Sequence, residues 1–224
     1  MKDFLNRHKT LWSQSAFRRS VGVGILILTI GIGFISAARD HLTGMAYQLS
    51  SSPDLILDNL PVRGMDGFIV WGVPLVIAIT VSILLFYPRL IPFTLKAIGA
   101  LLLVRAFFII LTPFGVRTDQ LVISSDGFFQ RLAYSSNDFF FSGHVAFPFL
   151  LALVFWDILW ARILMLMLCT LFAAGVLLAH THYSIDVFAV PFLIPTIVTI
   201  CKKYLDDPWR RSLGSAALPS AAIL

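Results

Sequence analysis

Six long apolar stretches constrain the fold of this chain more than any other feature. A helix that crosses the ~30 Å hydrocarbon core of a bilayer needs about 20 predominantly apolar residues, and each stretch approaches that length. The stretches run roughly over 20–38, 68–87, 92–114, 144–160, 162–180 and 185–201. This pattern predicts an all-α membrane protein in which six transmembrane helices form a single domain over residues 1–224.

Composition supports this interpretation, because 58% of the 224 residues are hydrophobic and only 13% are charged. A soluble domain carries about 25% charged residues, so a water-soluble fold, a disordered chain and a disulfide scaffold are all excluded. Both cysteines, Cys169 and Cys201, fall within or at the end of apolar stretches, where we interpret them as packing residues. A net charge of +5 would favour nucleic acid as a partner of a soluble protein. Here we expect no nucleic acid, because the positive residues are concentrated on one side of the predicted membrane.

The basic residues are distributed unequally between the two sides of the predicted membrane. With the amino terminus in the cytoplasm, twelve lysines and arginines fall on the inner side, four in the outer loops and one, Arg105, within a span, which accounts for all 17. This excess predicts that both termini are cytoplasmic. Residues 1–19 form a basic cytoplasmic segment that we expect to be retained, and 212–224 a flexible tail. The long loops, about 39–67 and 115–143, then lie outside, where a site would form.

Polar residues at the predicted outer boundary indicate chemistry. Ser142 and His144 stand at the outer start of the fourth span, and His182 and Asp186 at the outer start of the sixth. Helix amino termini attract anions. Asp186, four residues after His182, is expected on the same helix face, where it would orient the imidazole for attack on phosphorus. His144 would donate the proton to the leaving oxygen. The spacing therefore predicts phosphoryl transfer.

For several of these residues a purely structural role is an alternative to a catalytic one. Each histidine could only hydrogen-bond a neighbouring helix, and His180, which faces away from His182 on a helix, is interpreted as structural. Arg105 could contact a donor phosphate or pair with an aspartate. Asp138 is interpreted as a site residue rather than a plain loop residue. A metal site is disfavoured because residues i and i+2 diverge on a helix. Asp54 and Asp58 are expected to cap or pair within the outer loop.

Two segments carry a family resemblance. Residues 137–144 (NDFFFSGH) and 179–187 (AHTHYSIDV) resemble the third and fourth motifs of the sphingomyelin synthase family, a branch of the type 2 phosphatidic acid phosphatase superfamily. The first motif resembles residues 53–58, and the second resembles Arg105 followed by Thr112. Phosphatases of the superfamily carry an arginine six residues before the second histidine, where this chain has Val176, and they carry a Lys-x6-Arg-Pro motif that this chain lacks. These differences favour a transferase over a phosphatase.

The resemblance implies six spans and a lipid phosphotransferase whose site faces the outer or lumenal leaflet of a bacterial inner membrane or a eukaryotic Golgi, ER or plasma membrane. The donor would be a glycerophospholipid that gives up phosphocholine or phosphoethanolamine, and the acceptor a lipid alcohol such as ceramide, with a phospho-histidine intermediate. No metal or cofactor is implied. The catalytic residues would be His144, His182 and Asp186. The substrate-binding residues would be Asp138, Arg105, Ser142, Tyr183 and a loop acid, for which Asp126 and Asp119 are both candidates.

Two rival functions use the same residues. With water as the acceptor, the chain would be a lipid phosphate phosphatase or a phospholipase C-like hydrolase. A non-catalytic lipid-binding or transport protein would use the histidines only as a proton relay or as structural groups. The oligomeric state is not predicted.

Overall fold

The computed structural model describes residues 2–45, 49–121 and 138–205, and all regular structure in these ranges is helical. Two short 3₁₀ turns, Leu57–Asn59 and Pro88–Leu90, accompany eight α-helices. These are α1 (Lys2–Ser13), α2 (Ser15–Met45), α3 (Asp66–Phe86), α4 (Ile91–Leu111), α5 (Gly143–Val154), α6 (Leu159–Leu178), α7 (Ser184–Phe188) and α8 (Val190–Tyr204).

Among the described residues, five helical segments are long and apolar enough to cross a membrane, so the protein is an integral membrane protein. They are α2, α3, the segment Pro88–Leu111, α6, and the segment Ser184–Tyr204, in which α7 and α8 follow one another. The prediction of helices at all these positions is confirmed. The sixth span, the side of each terminus and the leaflet of the site stay predictions.

The fourth predicted span, 144–160, is shorter than expected. Its helix, α5, has 12 residues and is therefore about 18 Å long at 1.5 Å per residue, less than the hydrocarbon core. The chain turns over residues 155–158 and α6 begins at Leu159, because the reversal between two closely packed helices uses apolar residues that the sequence pattern assigns to the span. Most of α5 is buried against the other helices, so its short length leaves little of it facing lipid.

The first span is longer than predicted. α2 continues from Ser15 to Met45, well beyond the stretch 20–38, because a helix satisfies its backbone locally and does not end where apolar residues end. Its last turns bury Ile35, Ala38 and Leu42 against α4. Arg39, on these turns, is half-buried and reaches Asp138, rather than lying in the outer loop where the charge count places it.

Glycines bring α2 and α4 into close contact. A Cβ atom on Gly31 would lie 2.7 Å from the Gly99 carbonyl oxygen, and one on Gly99 would lie 2.7 Å from the backbone of Ile27 and Leu28. Such close approach is the usual way in which helices associate in lipid, where no hydrophobic force drives them together. This interface positions the α2 and α4 side chains of the site.

We expect Gly31→Ala to destabilise the protein and Gly33→Ala to be neutral or stabilising. Alanine favours a helix over glycine by about 1 kcal/mol at either position, but at Gly31 the added methyl group overpacks the interface, which costs about 1–3 kcal/mol. Nothing lies within 4 Å of a Cβ on Gly33. Thermal unfolding of both variants in one detergent measures the difference. Equal melting temperatures would contradict the packing described here.

The bundle has two chemically distinct ends. At one end, the Ser142 backbone N–H donates to the Asp186 carbonyl oxygen at 3.0 Å, which joins the starts of α5 and α7. At the other end, the buried ammonium group of Lys96 donates to Ser20 Oγ at 2.8 Å and to the Leu205 carbonyl oxygen at 3.1 Å. α1 lies at this second end, where His8 Nε2 contacts the Leu85 carbonyl oxygen. The adjacent starts of α5 and α7 therefore gather the candidate site at the first end.

Candidate active site

Two histidines face each other at the first end of the bundle. The ring centroids of His144 and His182 are 6.0 Å apart, with the ring planes inclined by 67°, and both side chains are buried. His144 is the second residue of α5. His182 lies in the loop that precedes α7, so the expectation that it shares a helix face with Asp186 is wrong. The chain uses residues 179–183 to turn from α6 into α7, and the two side chains meet by another route.

Asp186 meets His182 by capping α7. Its Oδ2 atom accepts the Tyr183 backbone N–H at 2.9 Å and lies 3.3 Å from His182 Nδ1, while the Asp186 N–H donates to the Tyr183 carbonyl oxygen at 3.1 Å. A carboxylate at the third helical position that reaches back to the capping residue is a common helix start. The start of α7 therefore holds the carboxylate against one imidazole nitrogen, and Nε2 is the nitrogen that can meet a substrate.

Asp138 joins two arginines from different helices. Arg105, from α4, reaches the Asp138 carboxylate with NH1 at 2.8 Å and NH2 at 2.7 Å, and Arg39, from α2, reaches it with Nε at 2.7 Å. Burial alone would raise the pKa of Asp138, but the positive charges of Arg105 and Arg39 hold it well below its ordinary value. Asp138 is therefore ionised, and of the two interpretations of Arg105 the structure shows the pairing with an aspartate.

Arg105 also lies directly beneath the Ser-Gly-His segment. Its Nε donates to the Phe141 carbonyl oxygen at 2.7 Å, and a Cβ atom on Gly143 would lie 2.9 Å from its Cζ. Only glycine leaves room for the guanidinium at this position. The arginine thus supports the backbone that carries Ser142 and His144.

Arg39 is a residue of the candidate site that the sequence pattern does not predict, because the charge count places it in the outer loop. The available signal was the spacing of Ile35, Ala38 and Leu42, because apolar residues at intervals of three and four continue a helix past the end of an apolar stretch. Since Arg39 lies four residues after Ile35 and three before Leu42, a helix that runs through all three places the arginine on the same face.

Tyr183 and Asp54 tie the neighbouring loops to the site. The Tyr183 hydroxyl donates to the Gly115 carbonyl oxygen at 2.8 Å and accepts the Ser52 N–H at 3.1 Å. Asp54 accepts the Ser184 N–H at the start of α7 at 2.7 Å, in agreement with its interpretation as a capping residue. The Tyr183 side chain is buried and its hydroxyl is used in these contacts, and a role in substrate binding stays a prediction.

His180 belongs to a separate ionic cluster in the loops. Its Nδ1 lies 2.9 Å from Asp119 Oδ2, and Arg117 pairs with both Asp119 and Asp58 at 2.9 Å. The hydrogen bond from Arg117 is the main cause that lowers the pKa of Asp119 to about 2. This geometry agrees with the structural interpretation of His180. Within the described ranges, no three or more His, Cys, Asp or Glu side chains are grouped as metal ligands.

Three polar atoms at the site have neither a hydrogen bond nor an ion pair among the described residues. They are Ser142 Oγ, His144 Nε2 and Asp186 Oδ1, and all three are buried. Buried polar atoms in folded proteins are nearly always paired. Their presence in one site therefore indicates room for a polar ligand. Asp126, the remaining predicted substrate-binding residue, lies outside the described residues.

Aromatic side chains hold the two imidazoles. The Phe172 ring lies 5.7 Å from that of His144, and the Phe139 ring 6.3 Å from that of His182. Phe172 fits there because α3 has a glycine opposite it: a Cβ on Gly72 would lie 2.5 Å from Phe172 Cζ. Packing against rings rather than water restricts the imidazoles to one orientation each.

The comparisons with known proteins cover the part of the chain that carries the two histidines. Residues 135–203 match the family model described as PAP2 superfamily C-terminal. No match was found among curated proteins or among solved structures. The match supports the type 2 phosphatidic acid phosphatase superfamily for this region. Members of that superfamily are phosphatases or phosphotransferases, so an activity of the lipid phosphatase or phosphotransferase type is supported, while the sphingomyelin synthase branch stays a prediction.

Proposed function

We propose that this protein transfers a phospho-headgroup, phosphocholine or phosphoethanolamine, from a glycerophospholipid to a lipid alcohol such as ceramide. The observation that carries the proposal is the pair of buried imidazoles 6.0 Å apart, one of them backed by the Asp186 carboxylate. Two rings this close can both reach one phosphoryl group, and holding the reacting groups together in this way is a large part of catalysis. The donor and acceptor classes come from the resemblance of residues 137–144 and 179–187.

In the first step, neutral His182 attacks phosphorus with Nε2 while Asp186 accepts the hydrogen bond from Nδ1–H. The bond from phosphorus to the diacylglycerol oxygen breaks, and protonated His144 gives its proton to that oxygen. The products are diacylglycerol, neutral His144 and a phospho-histidine at position 182 that carries the headgroup.

In the second step, the hydroxyl oxygen of the acceptor attacks the same phosphorus. Its proton passes to His144, and the bond between phosphorus and His182 breaks. The enzyme returns to its starting protonation state, so atoms and charges balance over the cycle. Arg39 and Arg105 stabilise the charge on the phosphoryl oxygens in both steps. On this proposal the site opens to the outer leaflet, where the acceptor lipid enters.

The test uses a glycerophospholipid labelled in its headgroup, presented in proteoliposomes with and without ceramide. We expect the label to enter a new organic-soluble lipid only when ceramide is present, and we expect diacylglycerol to form in equal amount. Liposomes that contain the His182→Ala variant serve as the blank. Label found only in water-soluble product would replace the transferase with a phospholipase C-like hydrolase. Unchanged donor lipid under all conditions would favour the non-catalytic lipid-binding function.

A further inference from the structure

The charges around the site form a defined set among the described residues. Arg39 and Arg105 share the single carboxylate of Asp138, so this group carries a net charge of +1. Asp186 adds one negative charge beside His182. In the reactive state His144 holds a proton and His182 does not, which leaves the whole site with one positive charge. Two carboxylates contribute negative charge to this set. Asp186 contacts the His182 imidazole, whereas Asp138 contacts the two arginines.

This charge acts on the substrate position at short range. The Arg105 guanidinium packs against Gly143, whose two chain neighbours carry the unpartnered Ser142 Oγ and His144 Nε2. The Asp138 and Arg105 side chains are 3–4% exposed, so water screens their charges weakly. In such a site a ligand whose charge fails to match is bound poorly, because an uncompensated buried charge is costly.

Lipid phosphates come in two charge states that this site can distinguish. A phosphodiester carries one negative charge, whereas a phosphomonoester carries about −1.5 to −2 at pH 7, with a second pKa near 6. We propose that Asp138 is a specificity-determining residue: by cancelling one of the two arginine charges, it matches the site to a singly charged diester and disfavours a doubly charged monoester. The inference rests on the proposed function, since it concerns the same phosphate position.

Asp138 would act through the two arginines rather than by touching the lipid. Without its carboxylate the arginines would present two positive charges, which suits a monoester better. Two arginines, from α2 and α4, would by themselves favour the doubly charged phosphatidic acid. With Asp138 present, the site instead matches the single charge of a headgroup donor. Discrimination of this kind depends on repulsion of the wrong ligand as much as on attraction of the right one.

The experiment compares phosphatidylcholine and phosphatidic acid that have identical acyl chains, because both give the same diacylglycerol. The ratio of their kcat/KM values is measured for the wild type, Asp138→Asn and Asp138→Glu. We expect the wild type to favour the diester, Asp138→Glu to keep that preference, and Asp138→Asn to reduce the ratio by about tenfold through a gain on the monoester. In the wild type the preference should also narrow as pH falls below about 6, where the monoester gains its second proton.

A further variant separates charge from damage to the fold. Arg39→Gln removes one positive charge, so the diester preference should rise, whereas a purely structural role would slow both substrates equally. This variant decides the matter if Asp138→Asn does not fold. Equal ratios in all folded variants, or a wild type that favours phosphatidic acid, would overturn the inference while leaving the lipid activity intact. A wild type that releases diacylglycerol from neither lipid would overturn the proposed function and, with it, this inference.

Discussion

Replacement of His182 by alanine is expected to reduce lipid turnover by a factor on the order of 10⁴–10⁶, as removal of an enzyme's nucleophile does. The reason is that the proposed first step has no other nucleophile within the described site: Nδ1 of this ring faces Asp186 at 3.3 Å, which leaves Nε2 for the attack on phosphorus. The measurement is the initial rate of diacylglycerol formation from phosphatidylcholine in detergent micelles.

His180→Asn provides the matched control. His180 is also buried and only two residues away, but it pairs with Asp119, and its backbone φ of 53° is one that asparagine tolerates better than most residues. We expect this variant to lose some stability and to retain most of the turnover rate. If His180→Asn and His182→Ala lose activity equally, the loss reflects damage to the loop and not the removal of a nucleophile.

The leaving group distinguishes the two catalytic histidines. A general acid matters only when the departing oxygen needs a proton, so a diester with a nitrophenolate leaving group should restore the first step in His144→Ala. It should not restore that step in His182→Ala, because the missing nucleophile is needed for every substrate. Restoration of both variants, or of neither, would contradict the roles assigned here.

The sequence was sufficient to predict the residues of the site where chemistry and periodicity coincide. Two histidines and an aspartate at the starts of two apolar stretches could be placed together because parallel helix starts share a membrane depth. The actual contact between His182 and Asp186 could not be derived, since it depends on the helix start at Ser184. Side chains four residues apart can meet either along one face of a helix or across the turn that caps a helix. The sequence spacing is the same in both cases, so the backbone conformation is needed to tell them apart.

The sequence was insufficient where tertiary contacts decide. Arg39 reaches Asp138 because α2 lies close against α4. The apolar spacing past the end of the stretch indicates that the helix continues, but it does not indicate which helix that end packs against. The short length of α5 has a similar origin. A helix that is surrounded by other helices is as apolar as one that faces lipid, so hydropathy alone does not show that α5 is too short to cross the membrane.

Gly143→Ala is expected to lower turnover by about 10²-fold, the loss that a displacement near 1 Å can cause in a catalytic site, while leaving the fold intact. The added methyl group would lie 2.9 Å from Arg105 Cζ. That guanidinium cannot move aside freely because it is held by Asp138 and by the Phe141 carbonyl oxygen, so the strain passes to the backbone that carries His144. The rate of diacylglycerol formation and the melting temperature are measured together.

Gly67→Ala, near the start of α3 with nothing within 4 Å of its Cβ, is the control that should keep full activity. If Gly143→Ala also kept full activity, Arg105 would not be coupled to the position of the catalytic imidazole.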